Sequence, residues 1–551
     1  MIREHGHIPS QEAPNHDPTE PLYPLLDPYE LGDVQDRRSE VRPEVASQLA
    51  PEDVVIEIIT PELRPLRQTP SALREIMRIA GVTSMRDIGI TGGPVASRAS
   101  HENEQVEALR KFEVLHGRDA LEIGLKLYDH YPKLLEATLF ELAATQGVTD
   151  EQYVPGQPFR QEELGRIMLL DRHPDDPVGK KFTRRLGWGW PFYGSIDATP
   201  TFVSAVARHA AANPSFLDRQ YTSRDGERTI KEALDRSVTW IIAKLDETPH
   251  GLVEFRNKAE KGGMDSQSWK DSAFAYVHAD GSRANMKDGI ASVEVQALAY
   301  DALLDAADLY GESSPEVAAE LRRYATDLRK KIFQTFWVED EAKGRFFVLG
   351  TDHDPTTGEL RQLAVRTSNM GRLLNSRLLE GNDPQTTEVR ESTIYQLFTP
   401  ELLAYSGIRT LARDEQAFRP GGYHTGSVWS WDTEYIATGL ERHNYHHLAW
   451  NLRERIWRTS QETGAFPEFT RGGTRMRPET NPSEIYVWNK KYEVLHLFEQ
   501  PPQEIQGWTV SAILAAKHAY PAYVRNRSTL PSPFIERVIL QDIQRREGNL
   551  Y

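Results

Sequence analysis

The chain has 551 residues, of which 81 are acidic and 65 basic, giving a formal charge of −16, and it contains no cysteine. That acidic surplus repels nucleic-acid backbones and anionic membrane surfaces, and the missing cysteines exclude disulfides, thiolate nucleophiles and cysteine metal sites. With 39% apolar and 26% charged residues, and no apolar run near the roughly 20 residues of a membrane helix, the composition predicts a soluble, cytoplasmic protein with a neutral ligand and no nucleic-acid or membrane partner.

Residues 1 to about 50 are rich in Pro, Asp and Glu without periodicity, as in a loosely ordered arm. The run at 54–59 reads as a short strand and 71–79 as a short helix capped by Ser71, with a Gly-Pro linker over 89–100. Residues 1–102 are therefore expected to be a partly irregular extension, and 103–551 the main domain.

From about residue 103 the chain becomes a succession of helical patterns. Leu135, Leu139 and Leu142 share a face in a helix expected to end at Gly147; Ile230, Leu234, Ile241 and Leu245 share another, as do Leu448, Leu452 and Ile456. The stretch 293–309 is apolar on several sides, as in a helix buried between two others. Strand candidates are few, chiefly 346–349, and the run Asp352-His-Asp-Pro355 reads as a turn without metal-ligand spacing. The body is all-α.

The long loops between helices hold the chemistry, since long loops are uncommon unless they do something. All 11 tryptophans lie at or beyond Trp188. Asp271, in Trp269-Lys270-Asp271-Ser272 after Gly262-Gly263, has the surroundings of a general acid, an isolated loop aspartate more often being a turn or cap. Glu468, fixed by Pro467 between Phe466 and Phe469, is a candidate base partner. Tyr423-His424, with Trp429 and Trp431-Asp432, offers polar edges beside indoles, which suits hydroxyl recognition and stacking.

Taken in order, the runs Gly117-Arg118-Asp119, Tyr193-Gly-Ser-Ile-Asp197, Trp269-Lys270-Asp271-Ser272, His278-Ala-Asp-Gly281, Val293-Glu294-Val-Gln296, Ser406-Gly-Ile-Arg-Thr-Leu411, Tyr423-His424-Thr-Gly-Ser-Val-Trp429, Pro467-Glu468 and Gln506-Gly-Trp508 carry a family resemblance. Over residues 105–522 the chain resembles the catalytic domain of bacterial glycogen debranching enzymes of the amylo-α-1,6-glucosidase type, within the (α/α)6-barrel glycosidases. The resemblance implies an all-α (α/α)6 barrel, a six-hairpin toroid, with Asp271 as general acid and Glu468 as base; Glu484, Glu493 and Glu499 are alternative bases. It implies sugar contacts from Arg118, Asp119, Tyr193, Asp197, Trp269, Lys270, Glu294, Gln296, Tyr423, His424, Trp429, Trp431, Asp432, Gln506 and Trp508, with no cofactor and no metal.

The function so implied is inverting, exo-acting release of a terminal sugar, glucose first, from an α-glucoside; the partner is a small-molecule or oligosaccharide substrate. The extension is short and not strongly β, unlike the N-terminal domain usual in that family, and Thr425 and Ser430-Trp431 replace the family's Asn and Pro-His. Competing readings are a carbohydrate-binding protein that would lose one carboxylate function, and a phosphorylase or epimerase, which would need a basic phosphate pocket or histidine shuttles. His446 and His447 lie on a helix and read as packing residues.

Overall fold

The leucine and isoleucine spacings become helices in the computed structural model, which describes residues 97–98, 114–480 other than 174, 273 and 312, and 486–489, 494–497, 502–503 and 505–547. The arm, the strand at 54–59, the helix at 71–79, and Glu484, Glu493 and Glu499 lie outside the described residues. Of the extension, Ser97–Arg98 pairs antiparallel with Ile505–Gln506.

Among the described residues there are thirteen α-helices: α1 (Gly117–Lys126), α2 (Pro132–Ala144), α3 (Pro177–Leu186), α4 (Ala198–Ala212), α5 (Ile230–Glu247), α6 (Val293–Tyr310), α7 (Pro315–Phe336), α8 (Asn369–Arg372), α9 (Pro384–Leu397), α10 (Ser430–Arg442), α11 (His446–Thr463), α12 (Gly507–Asn526) and α13 (Phe534–Glu547). Helices α1, α4, α6, α8, α10 and α12 each touch the next, and α12 returns to α1, so they form a closed inner ring. Outside it α2, α5, α7, α9 and α11 each pack on the inner helix preceding them, while α13 lies against α9 and α11. This is the (α/α)6 barrel. None of the described helices is long and apolar enough to cross a membrane.

The inner position explains the composition of its helices. On α6, Val293, Val295, Ala299, Leu303 and Ala306 are all buried, on more than one side, as the sequence spacing requires of a helix enclosed by others. Where α10 crosses the segment after α8, Gly439 comes so close that a Cβ would lie 2.7 Å from the backbone nitrogen of Asn375. The outer helices instead bury one face: Ile230, Leu234, Ile241 and Leu245 of α5, and Leu448, Leu452 and Ile456 of α11. Thr229 caps α5, with Glu232 returning the bond to form a capping box.

Three local expectations need correction. The helix holding Leu135, Leu139 and Leu142 ends at Ala144, and Gly147 serves a close approach instead, since a Cβ there would meet the Glu163 carbonyl at 2.1 Å. Of the strand expected at 346–349 only Phe346 and Phe347 are strand, at the end of Gly344–Phe347, and Val348 and Leu349 lead into a next strand, Gly350–His353. The second of these includes Asp352, which is no turn residue but fully buried, accepting from Arg361, the Asn285 N–H and facing His278.

Candidate active site

The starts of the inner helices bring the polar motif residues together. Arg118 and Asp119 open α1, Asp197 precedes α4, Glu294 opens α6, Asp432 opens α10, and Gln506 and Trp508 open α12. A helix N-terminus carries partial positive charge and unsatisfied N–H groups, which favours carboxylates there.

Around Arg118 three carboxylates converge: Asp271 at 3.2 Å, Asp197 at 3.4 Å and Asp119 at 3.8 Å. Burial alone would weaken the guanidinium's hold on its proton, but Asp197, Asp271 and Asp119 raise its pKa above the ordinary value, so Arg118 stays cationic. Asp119 goes the other way. Burial, reinforced by the charges of Asp271, Asp197 and Glu468 and opposed by Arg118, pushes its carboxyl up to about 8. Three carboxylates thus bear on one buried cation, and Glu468 adds its charge at Asp119.

Asp271 is the most open of them, its side chain 28% exposed against 4% for Asp197. Its loop is anchored on both sides. Lys270 is buried and donates to the Thr410 carbonyl at 2.6 Å; burial, opposed by Asp432 and Glu294, brings its pKa down to about 7. Ser272 donates its N–H to His424 Nδ1 at 3.3 Å, with its Oγ 3.0 Å from the same nitrogen. Burial and the charges of Lys270 and Arg118 drive the His424 pKa well below the ordinary histidine value, so the ring is neutral and free to accept that bond.

Glu468 is buried between Phe466 and Phe469. The Tyr423 hydroxyl donates to its Oε1 at 2.5 Å and the Gln503 N–H to its Oε2 at 3.1 Å, while Pro467 is tied to α12 by Thr509. Trp269, Trp429, Trp431 and Trp508 form one aromatic cluster with Phe466 and Phe469, apart from the main core. Trp269 meets Trp431 edge-on at 5.2 Å, Trp431 lies 4.2 Å from Trp508, and Arg118 sits over Trp508 at 5.7 Å.

Several expected sugar contacts are otherwise engaged. Tyr193 donates its hydroxyl to the Thr145 carbonyl and accepts from Arg224, which ties it to the end of α2. Gln296 bonds both ways with the Val253 backbone and also donates to the Ser292 carbonyl, so it braces a loop. Gln506 accepts from the Trp508 N–H as the cap of α12. Glu294 and Asp432 are sealed from solvent, Glu294 taking the Ser292 hydroxyl and Asp432 facing Arg372 at 3.6 Å. Two tryptophans not among those expected contacts, Trp188 and Trp190, belong to a separate cluster with Phe182 and Phe192 and do not join the aromatic wall. Arg372, which also pairs with Glu122 at 3.0 Å and lies over Trp431, escaped the sequence reading because its helix is only four residues long.

A closed helical ring with carboxylates, a buried arginine and an indole wall at its helix starts defines the class: an (α/α)6-barrel glycoside hydrolase. Residues 187–472 match the family model described as the mannosylglycerate hydrolase MGH1-like glycoside hydrolase domain, and the chain belongs to that family. The match therefore lies in the barrel glycosidases that the sequence motifs resemble, although the debranching family itself is not the one matched. Among curated proteins none matches.

Solved structures with the same fold include the GH63 mannosylglycerate hydrolase from Thermus thermophilus in complex with Tris, with 14% sequence identity, a TM-score of 0.50, and coverage of 81% of this chain and 98% of that one. The same enzyme with Tris and D-glycerate gives 15% identity, a TM-score of 0.50 and the same coverage.

Proposed function

We propose that the protein is an inverting, exo-acting glycoside hydrolase that releases a terminal hexose from a small α-glycoside, with Asp271 as general acid and Glu468 as general base. The observation that carries this reading is the unlike setting of two carboxylates that both act on Asp119 and on Tyr423. Glu468 is enclosed, and both its oxygens are held, by the Tyr423 hydroxyl and the Gln503 N–H. Asp271 is the open member of a cluster of three carboxylates around one guanidinium, in which burial pushes the neighbouring Asp119 carboxyl up to about 8, so that a proton is held beside Asp271 at neutral pH.

In this scheme the sugar lies against the indoles and Arg118. Asp271 gives its proton to the departing glycosidic oxygen; Glu468 draws a proton from a water that attacks the anomeric carbon from the opposite face. Of the sequence-level candidates, Arg118, Asp119, Asp197, Trp269, Trp429 and Trp508 remain the sugar-facing set, while Lys270, His424 and Trp431 hold the walls.

Glucose is the first sugar to test, and the family's description adds mannosylglycerate. The experiment is a panel of α- and β-linked glucosides and mannosides, mannosylglycerate included, with NMR of the anomer released. Release of the β-anomer from an α-glycoside is expected. Release of the α-anomer would replace the base with a nucleophile, and no hydrolysis of any α-glycoside would overturn the reading.

A further inference from the structure

Away from the catalytic cluster, a cavity of about 200 Å³ with charged side chains in its walls opens beside the end of α5, between Thr248 and the loop carrying Glu254, Arg256 and Lys258. Its walls differ in charge. On one side Glu163 takes Lys244 at 3.1 Å, Lys258 at 2.5 Å and Arg166 at 3.6 Å, and Glu247 takes Lys244 at 2.6 Å and Arg256 at 3.6 Å. Two carboxylates face four cations on that side, while the cavity's other two carboxylates, Glu254 and Asp288, lie away from Arg256 in this pairing. Arg256 is held only by that 3.6 Å ion pair, too long for a hydrogen bond, and its side chain is 53% exposed.

The other side lacks donors. Glu254 bonds to His353 through Oε2 at 2.9 Å, but its Oε1 is buried and without a hydrogen-bond partner, its side chain being only 9% exposed. The buried hydroxyl of Thr248 is likewise unpartnered. Orphaned buried acceptors are costly and rare, and a group that reaches them gains what they lack.

We propose that this cavity is a second small-molecule site, and that its ligand is a small carboxylate bearing a hydroxyl or ammonium donor on the neighbouring carbon. The carboxylate pairs with Arg256 and Lys258, where positive charge is in excess and a guanidinium fork is available. The donor serves Glu254 Oε1, with Thr248 beside it. A neutral sugar would leave the Arg256 guanidinium with no carboxylate at hydrogen-bonding distance, and inorganic phosphate offers chiefly acceptors.

The site is wired to the catalytic loops. Arg166, in the cavity wall, donates to the Ser195 carbonyl at 3.2 Å and to Gln267 Oε1 at 2.7 Å. Ser195 in turn donates to Asp197, and Gln267 stands in the run that leads to Asp271. A bound carboxylate that draws Lys258 from Glu163 leaves that carboxylate to Lys244 and to Arg166, the arginine that braces both loops.

Isothermal titration of the full chain with L-lactate, glycine, acetate and inorganic phosphate tests the assignment, and is repeated in Arg256→Ala and Glu254→Gln. Lactate or glycine is expected to bind saturably at one site per chain, the tighter of the two identifying a hydroxy acid or an amino acid as the ligand type. Each variant should weaken that binding about ten-fold or more, corresponding to loss of a charge-assisted hydrogen bond. Arg256 is exposed enough that its variant tests the site without disturbing the core. Absence of binding by both probes overturns the proposal, as does acetate or phosphate binding equally well, affinity unchanged in both variants, or displacement by a sugar that occupies the catalytic pocket. The titration reads binding and is equally valid in Asp271→Asn, so failure of the catalytic assignment leaves it unaffected.

Discussion

Asp119 shows how much of this site is electrostatics imposed by neighbours. Its pKa is raised from the ordinary carboxylate range to about 8 by burial and then by Asp271, Asp197 and Glu468. A folded-state pKa above the unfolded one contributes stability that is present at low pH and lost as pH rises through the folded value. Wild-type protein is therefore expected to lose stability between about pH 4 and pH 8 through this group, whereas Asp119→Asn, which mimics the protonated form, should show a flatter profile in thermal melts at pH 5 and pH 9. A variant that tracks the wild type at both pH values would refute the charge account. For catalysis, Asp271→Asn and Glu468→Gln should each lower kcat by at least about 10²–10⁴-fold, the usual worth of a positioned acid or base, with sugar binding retained by calorimetry. Full turnover in either variant would remove that residue from its role. Asp271 and Glu468 were legible as candidates because of the aromatic, glycine and proline residues beside them. That Asp119 is the strongly perturbed carboxyl was not, because its shift comes first from burial and then from charges on residues up to 349 positions away.

Among the elements, the inner helices depend on pairings that cross the ring. Glu122 of α1 meets Arg372 of α8 at 3.0 Å, both buried, and removing one partner leaves an uncompensated buried charge. Glu122→Gln is expected to cost about 3–5 kcal/mol in denaturant unfolding; a loss below about 1 kcal/mol would mean that Asp432 alone satisfies Arg372. The start of α5 is governed locally, and Thr229→Ala should cost only about 0.5–2 kcal/mol through loss of the capping box. Such local features were readable in the sequence: the apolar faces of α2, α5 and α11 appear at the expected positions. The four-residue α8 was not, since one turn has no periodicity to detect, yet it fills the fourth place in the inner ring.

For the whole molecule, function depends on closure of the ring between α1 and α12, some 390 residues apart in sequence. A chain ending at Gln503 lacks α12 and α13, and with them Trp508 and the Thr509 bond to Pro467 that steadies Glu468. It is expected to show no cooperative thermal transition and no hydrolysis; a cooperative melt near that of the full chain would mean that the ring is stable while open. The sequence by itself determined the helical body, the ordered run of loop motifs and the two catalytic candidates, because helix faces and motif chemistry are properties of neighbouring residues. Only the tertiary structure decided which motif residues face one another. Arg118, Asp119, Asp197, Asp271 and Glu468 come together, whereas Tyr193 and Gln296, from equally telling runs, turn to brace the scaffold. Those assignments rest on which helix starts meet at the end of the barrel and on where buried hydrogen-bonding groups find partners, and both are set by contacts between segments hundreds of residues apart.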